Sequence, residues 1–317
     1  MDLSKHRIKL DRIVKAAKCI DPVFQHSPQF NCEPLSKLLG NELHLKIETM
    51  NPIRSFKGRG ADFLLHEAGT QDEIVCASAG NFGQAMAYSC RKARVPLTVF
   101  AAETANQLKI DRMRSLGATV VLFGKDFDSA KQQARLYALD RSVRFVEDGL
   151  DVETAEGAGT IGLELLQIND LKAVLIPVGN GALFNGISRV FKELRPDVRM
   201  VAVQASGAPA MIESLQAGEV KVHKEVTTIA DGIGVRIPVP QALEDMRPLV
   251  DDMLLVSEED ILDAMRSVYI HVGLVAEPSA VVGLAAIKRY NKWAGDKVAT
   301  IICGGNLTES QMKKWLI

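Results

Sequence analysis

From about residue 43 onward, short and nearly all-apolar segments alternate with amphipathic ones, and no other feature limits the fold as strongly. The apolar segments are 43–47, 74–77, 97–101, 119–123, 173–178, 200–203 and 298–303. Between them Ile161, Leu165 and Ile168 keep helical spacing, as do Ile261, Met265, Val268 and Val272. Strands apolar on both faces must be covered on both faces, which is the condition of parallel sheets joined by crossover helices. The pattern predicts an α/β chain. A length of 317 residues favours two open parallel-sheet domains. No internal repeat, low-complexity tract or Pro/Ser-rich linker marks a boundary. Residues 148–159, with three glycines and several acids, are the expected hinge.

A formal net charge of -1 and a pI near 6.6 give no electrostatic reason to bind nucleic acid or an anionic membrane. The cysteines at 19, 32, 76, 90 and 303 are an odd set without a CxxC pair, so reduced thiols are expected. The six histidines are scattered without ligand spacing, and no metal is expected. There is no GxSxG elbow either. The N-terminus carries Lys5, His6, Arg7 and Lys9 and lacks the apolar core of a secretory signal. The longest apolar region, 271–287, is broken by Glu277-Pro278. The expectation is a cytoplasmic, soluble protein acting on a small molecule.

The segment Ser55-Phe56-Lys57-Gly58-Arg59-Gly60 places one lysine among small residues where loop turns into helix. Asn51-Pro52 disfavours helix upstream, and Ser55 is the expected N-cap. The field of a helix start disfavours an ammonium by only about 0.3–1 kcal/mol. That is less than one pKa unit, so a nucleophilic lysine here needs burial or capture as an imine. In isolation it reads as a surface residue.

Three glycine-bearing loops lie at predicted strand ends, where open parallel sheets bind ligands. Ser78-Ala79-Gly80-Asn81-Phe82-Gly83 leads into a helix expected near Gln84, whose free N–H groups suit a carboxylate or phosphate. Gly179-Asn180-Gly181-Ala182-Leu183 opens a second helix and suits a monophosphate. It has neither a Walker lysine nor GxGxxG spacing. Cys303-Gly304-Gly305-Asn306 ends the last strand, and Cys303 is either a small core hydrophobe or a neutral thiol facing a heterocycle.

Taken together these segments resemble the serine/threonine dehydratase family of pyridoxal-phosphate enzymes, which share the tryptophan-synthase-β fold. The matching segments, in the family's order, are 55–61, 77–84, 156–164, 177–183, 228–235, 277–280 and 303–306. The resemblance implies pyridoxal 5'-phosphate held as an imine on Lys57 beside Phe56. Asn81 would bond its 3-hydroxyl, residues 179–183 its phosphate, and Cys303 its ring nitrogen. The N–H groups of Ser78, Ala79, Gly80, Asn81 and Phe82 would grip the substrate carboxylate. It also implies a small domain, 46–150, inserted into a larger one made of 1–45 and 151–317, with the cofactor in the cleft, and a homodimer. The implied reaction is α,β-elimination on a β-hydroxy L-amino acid such as L-threonine or L-serine, with Lys57 taking the α-proton. A neutral Cys303 makes the ring a weaker electron sink, which favours prompt loss of the hydroxyl.

Several positions depart from the family pattern. Asn180 and Ala182 replace two glycines of the phosphate loop, and Phe82 stands where a histidine is common, which favours bulkier substrates such as hydroxyaspartate or phenylserine. Related racemases use a serine where Ala79 stands, so racemisation is the disfavoured alternative. Their divalent-metal site uses acids in the segment matching 204–210, which has none here. A β-replacing synthase would need a second nucleophile pocket, and a nicotinamide oxidoreductase lacks its fingerprint. Only eleven residues follow Asn306, so a regulatory domain like that of biosynthetic threonine dehydratases is not expected.

Overall fold

The computed structural model describes residues 3–69 and 72–317. The first half runs α1 (Leu10–Cys19), β1 (Gln29–Asn31), α2 (Glu33–Leu39), β2 (Glu42–Ile47), α3 (Lys57–Ala68), β3 (Ile74–Ala77), α4 (Asn81–Ala93), β4 (Leu97–Ala101), α5 (Gln107–Ser115), β5 (Thr119–Leu122), α6 (Phe127–Arg141) and β6 (Arg144–Val146). There follow α7 (Val152–Leu165), β7 (Ala173–Pro177), α8 (Ala182–Leu194), β8 (Arg199–Ala205), α9 (Ala210–Ala217), α10 (Pro240–Met246) and β9 (Asp252–Val256). The chain closes with α11 (Glu258–Val272), α12 (Val282–Tyr290), β10 (Lys297–Ile302) and α13 (Glu309–Trp315).

The strands form two sheets. One has six strands in the order β1-β2-β10-β7-β8-β9, the other four in the order β5-β4-β3-β6. Every pairing is parallel except β1 with β2, a departure from the all-parallel expectation. The seven expected strands all form. The three unforeseen ones, β1, β6 and β9, are all edge strands. An edge is covered on fewer sides, so Gln29, Asn31, Arg144 and Asp252 are tolerated and the all-apolar pattern is lost. Residue 46, the expected domain boundary, lies inside β2, where Lys46 and Ile47 pair with Ile301 and Ile302.

The expected hinge at 148–159 is mostly helix. From Val152 it is α7, and Gly157 and Gly159 are buried. These glycines serve close helix contact. A Cβ on Gly157 would lie 2.4 Å from the Arg59 carbonyl oxygen, and one on Gly60 would lie 2.5 Å from that of Thr154. Helices α3 and α7 therefore touch backbone to backbone, which holds the start of α3 in place.

A buried ionic cluster fixes the same turn. Arg59, wholly inaccessible, donates to both Glu48 oxygens at 2.9 and 2.8 Å, to Glu164 at 2.6 and 3.1 Å, and to Thr160 at 2.9 Å. Lys46 completes it through Glu164, giving two cations against two anions. Burial alone would raise the Glu164 carboxyl, but the Arg59 hydrogen bond and charge outweigh it and hold the group below the ordinary range.

Candidate active site

Lys57 is the first residue of α3, and Phe56 occupies the cap position without a side-chain capping bond. Ser55 is therefore not the N-cap expected from sequence. Its hydroxyl, one residue upstream of the cap, accepts from the Lys57 N–H at 3.4 Å and donates to the Cys303 carbonyl at 3.3 Å. The segment before Lys57 is pinned along the end of β10. The Phe56 N–H donates to the Cys303 carbonyl at 3.1 Å, the Gly305 N–H to Arg54 at 3.0 Å, and Ser55 bridges Gly304. These bonds bring Lys57 and Cys303, far apart in sequence, to one place.

One cavity of about 690 Å³ is lined by every residue expected at the site: Phe56, Lys57, Ser78 to Phe82, Gly179 to Leu183 and Cys303. The Lys57 side chain is 16% exposed, and its Nζ stands 4.7 Å from the Phe56 ring centroid. Nζ donates to both carboxylate oxygens of Asp148, at 2.8 and 2.6 Å. Sequence gave no hint of Asp148 because the contact joins residues separated by 91 positions.

The two helix starts differ in detail from expectation. Helix α4 begins at Asn81, three residues before the expected Gln84. The Ser78 N–H is spent on the β4 end, donating to the Phe100 carbonyl at 2.9 Å. The Ser78 hydroxyl accepts from the N–H groups of Gly80 at 3.2 Å and Gly83 at 2.9 Å. The N–H groups of Ala79, Asn81 and Phe82 are left for an anion, so Ser78 and Gly80 serve as scaffold. At the second loop only Gly181, with φ of 90°, needs a left-handed conformation. Asn180 has an ordinary backbone and Ala182 is the first residue of α8, which explains why neither has to be glycine.

The side chain of Asn81 is oriented by two partners. Its Nδ2 donates to Glu277 Oε1 at 2.5 Å, and its Oδ1 accepts from Asn306 Nδ2 at 2.8 Å. Asn306 also donates through its backbone N–H to Glu277 Oε2 at 3.2 Å. One Nδ2 hydrogen of Asn81 remains for a ligand. Burial raises the Glu277 carboxyl despite the nearby charge of Lys109. Burial also pushes the Cys303 thiol up, with Glu277 adding to the effect, so Cys303 is a neutral group. Among the residues lining the same cavity, Lys109 of α5 meets Asp231 at 2.7 Å and Arg236 meets Asp128 of α6 at 2.8 Å. Both pairs join helices flanking the four-stranded sheet to the loop after α9.

A lysine amine, two helix starts and a neutral wall around one cavity are suited to a phosphorylated aldehyde, and comparison with known proteins agrees. The family model described as pyridoxal-phosphate dependent enzyme matches residues 20–304. The chain belongs to this family. The L-threonine ammonia-lyase of Thermotoga maritima is 34% identical over 304 residues, covering 95% of this chain and 76% of that protein. The catabolic L-threonine dehydratase TdcB of Staphylococcus aureus is 34% identical over 312 residues, covering 95% and 90%. Among solved structures, the processed form of threonine deaminase isoform 2 from Solanum lycopersicum superposes with a TM-score of 0.87 at 30% identity, covering 96% of this chain and 88% of that one. The cavity fits the family's cofactor on its own terms. It offers an amine, free N–H groups at the start of α8, and a buried hydroxyl, Ser279 Oγ, that has no partner.

Proposed function

We propose that this chain converts a β-hydroxy L-amino acid, such as L-threonine or L-serine, to a 2-oxo acid and ammonia by α,β-elimination. The observation that carries this reading is the convergence of Lys57, the α4 start and the α8 start on one cavity. The activities named for the Thermotoga and Staphylococcus relatives support the substrate class. Lys57 would hold pyridoxal phosphate covalently, the α8 start its phosphate, and Asn81 its 3-hydroxyl. When bound, the cofactor supplies an electron sink for charge developing at the substrate Cα.

The protein's own groups do the rest. The N–H groups of Ala79, Asn81 and Phe82 hold the substrate carboxylate, which fixes the Cα–H bond relative to Lys57. Lys57 Nζ, once freed as a neutral amine by the substrate's own amino group, would take that proton, and Asp148, which lies within hydrogen-bond reach of Nζ, would stabilise the ammonium that forms. Phe56 and Phe82 supply apolar lining to the same cavity, and the Phe56 ring centroid stands 4.7 Å from Nζ. Ala79 presents only a methyl group, so no second acid returns a proton from the opposite face. Elimination is favoured over racemisation for that reason.

The same reading keeps a small inserted unit and a larger one, with the first boundary moved past Ile47. The separate sheet formed by β3 to β6 supports it. It also keeps a cytoplasmic homodimer, for which exposed apolar side chains such as Leu38, Leu139 and Ile270 offer surface; sedimentation reads the dimer directly. No helix among the described residues is long and apolar enough to cross a membrane.

The test is a panel of L- and D-threonine, serine, 3-hydroxyaspartate and phenylserine, assayed separately for 2-oxo acid and for the enantiomer. Formation of 2-oxo acid from at least one L-isomer is expected. Enantiomer without 2-oxo acid would replace the lyase by a racemase.

A further inference from the structure

Asp148 is positioned by its own chain and not only by the lysine it meets. The turn that carries it is closed by the N–H groups of Leu150 and Asp151, each donating to the Glu147 carbonyl at 3.1 Å. Gly149, with φ of 84°, lies against the loop that opens α8, and a Cβ there would stand 2.4 Å from the Asn180 carbonyl oxygen. The carboxylate therefore keeps its place on the cavity wall whichever way Lys57 turns. Lys57 must be a neutral amine to take a proton, so at that moment Asp148 has no cation beside it. A substrate Cα–H offered to Nζ brings Cα within about 3.5 Å of that atom. Asp148 Oδ2 lies 2.6 Å from Nζ, so Cα comes within about 6 Å of the carboxylate. A charge on the substrate side chain then falls within one Debye length, about 8 Å, where the half-enclosed cavity screens it less than bulk water does. The other cations of the cavity do not offset Asp148. Lys109 is taken by Asp231 at 2.7 Å, Arg236 by Asp128 at 2.8 Å and Lys131 by Glu147 at 3.1 Å, while Lys224 is exposed.

We infer that Asp148 selects substrates by side-chain charge: it admits neutral side chains, favours one ending in an ammonium and refuses one ending in a carboxylate. This rests on reading the cavity as the pyridoxal-phosphate site with Lys57 as the α-proton base. It divides the candidate substrates, because threonine, serine and phenylserine pass and 3-hydroxyaspartate does not. The selection is electrostatic. Asparagine at position 148 keeps the size and the hydrogen-bonding reach of the side chain and loses only its charge.

The experiment titrates protein loaded with pyridoxal phosphate with L-asparagine, L-aspartate and L-2,4-diaminobutyrate, which match in length and carry no β-leaving group. The shift of the visible band gives each Kd, for wild type and for Asp148→Asn, at one fixed ionic strength. Wild type should bind L-asparagine roughly tenfold more tightly than L-aspartate, and L-2,4-diaminobutyrate at least as tightly as L-asparagine. In Asp148→Asn the three affinities should fall within about threefold of one another. Ratios between ligands are read, so a general loss of affinity in the variant does not imitate the result. Wild type binding L-aspartate as tightly as L-asparagine, or the same ratio in Asp148→Asn as in wild type, overturns the inference. Should Asp148→Asn fail to fold, the wild-type ratio decides by itself. A wild type whose visible band responds to none of the three, nor to any β-hydroxy amino acid, would instead refute the reading of the cavity.

Discussion

The carboxylate of Asp148 receives two hydrogen bonds from Lys57 Nζ, at 2.8 and 2.6 Å. Both side chains are about 15% exposed, so the pair is screened from bulk water but not sealed from it. A contact of this kind is worth more than a surface ion pair and less than a fully buried one. A double-mutant cycle with Lys57→Ala and Asp148→Ala, measured by urea denaturation of cofactor-free protein, should give a coupling of about 1 kcal/mol. Additive single effects would mean that the pair does not persist in solution.

The Arg59 cluster makes a larger prediction. Arg59→Met leaves Glu48 and Glu164 without their shared buried cation, and breaking a buried pair costs about 3–5 kcal/mol. The sign with pH follows from Glu164, whose folded-state pKa lies below its unfolded one. Its contribution is present above about pH 4.3 and is lost as pH falls through the lower folded value. The stability gap between wild type and Arg59→Met should therefore narrow below about pH 4. A gap that stays constant from neutral to acid pH would show that Glu164 is not held ionised by Arg59.

Gly157→Ala tests the contact between α3 and α7. The new methyl would meet the Arg59 carbonyl oxygen at 2.4 Å and the Gly60 Cα at 2.6 Å, both backbone atoms that cannot turn aside. A loss of about 1–3 kcal/mol is expected, together with weaker cofactor uptake because the displaced residues adjoin Lys57. Wild-type melting temperature and cofactor affinity in this variant would show that the helices have room to separate.

How much of this was legible beforehand differs by residue. The interior strands could be read because a strand covered on both faces is apolar throughout, as in β7 and β8. The edge strands β1, β6 and β9 could not, because solvent on one side admits polar residues such as Gln29, Arg144 and Asp252, whereas the edge strand β5 keeps the apolar run Val120-Val121-Leu122 and could be read. Glycines were ambiguous for a physical reason. Gly181 needs its positive φ, whereas Gly157 serves contact between helices, and a sequence does not separate the two uses. The residues expected at the site come together in one cavity because they stand in local motifs. Asp148, Glu277 and Ser279 acquire their places only through long-range packing, and Glu277 and Ser279 stood in a matching segment without an assigned role.

The attachment point itself can be measured. Protein supplied with pyridoxal phosphate, reduced with borohydride and digested should carry the cofactor mass on the peptide containing Lys57. The visible absorbance of the unreduced protein should disappear in Lys57→Ala. Cofactor mass on a different lysine, or an unchanged visible band in Lys57→Ala, would contradict the assignment of Lys57.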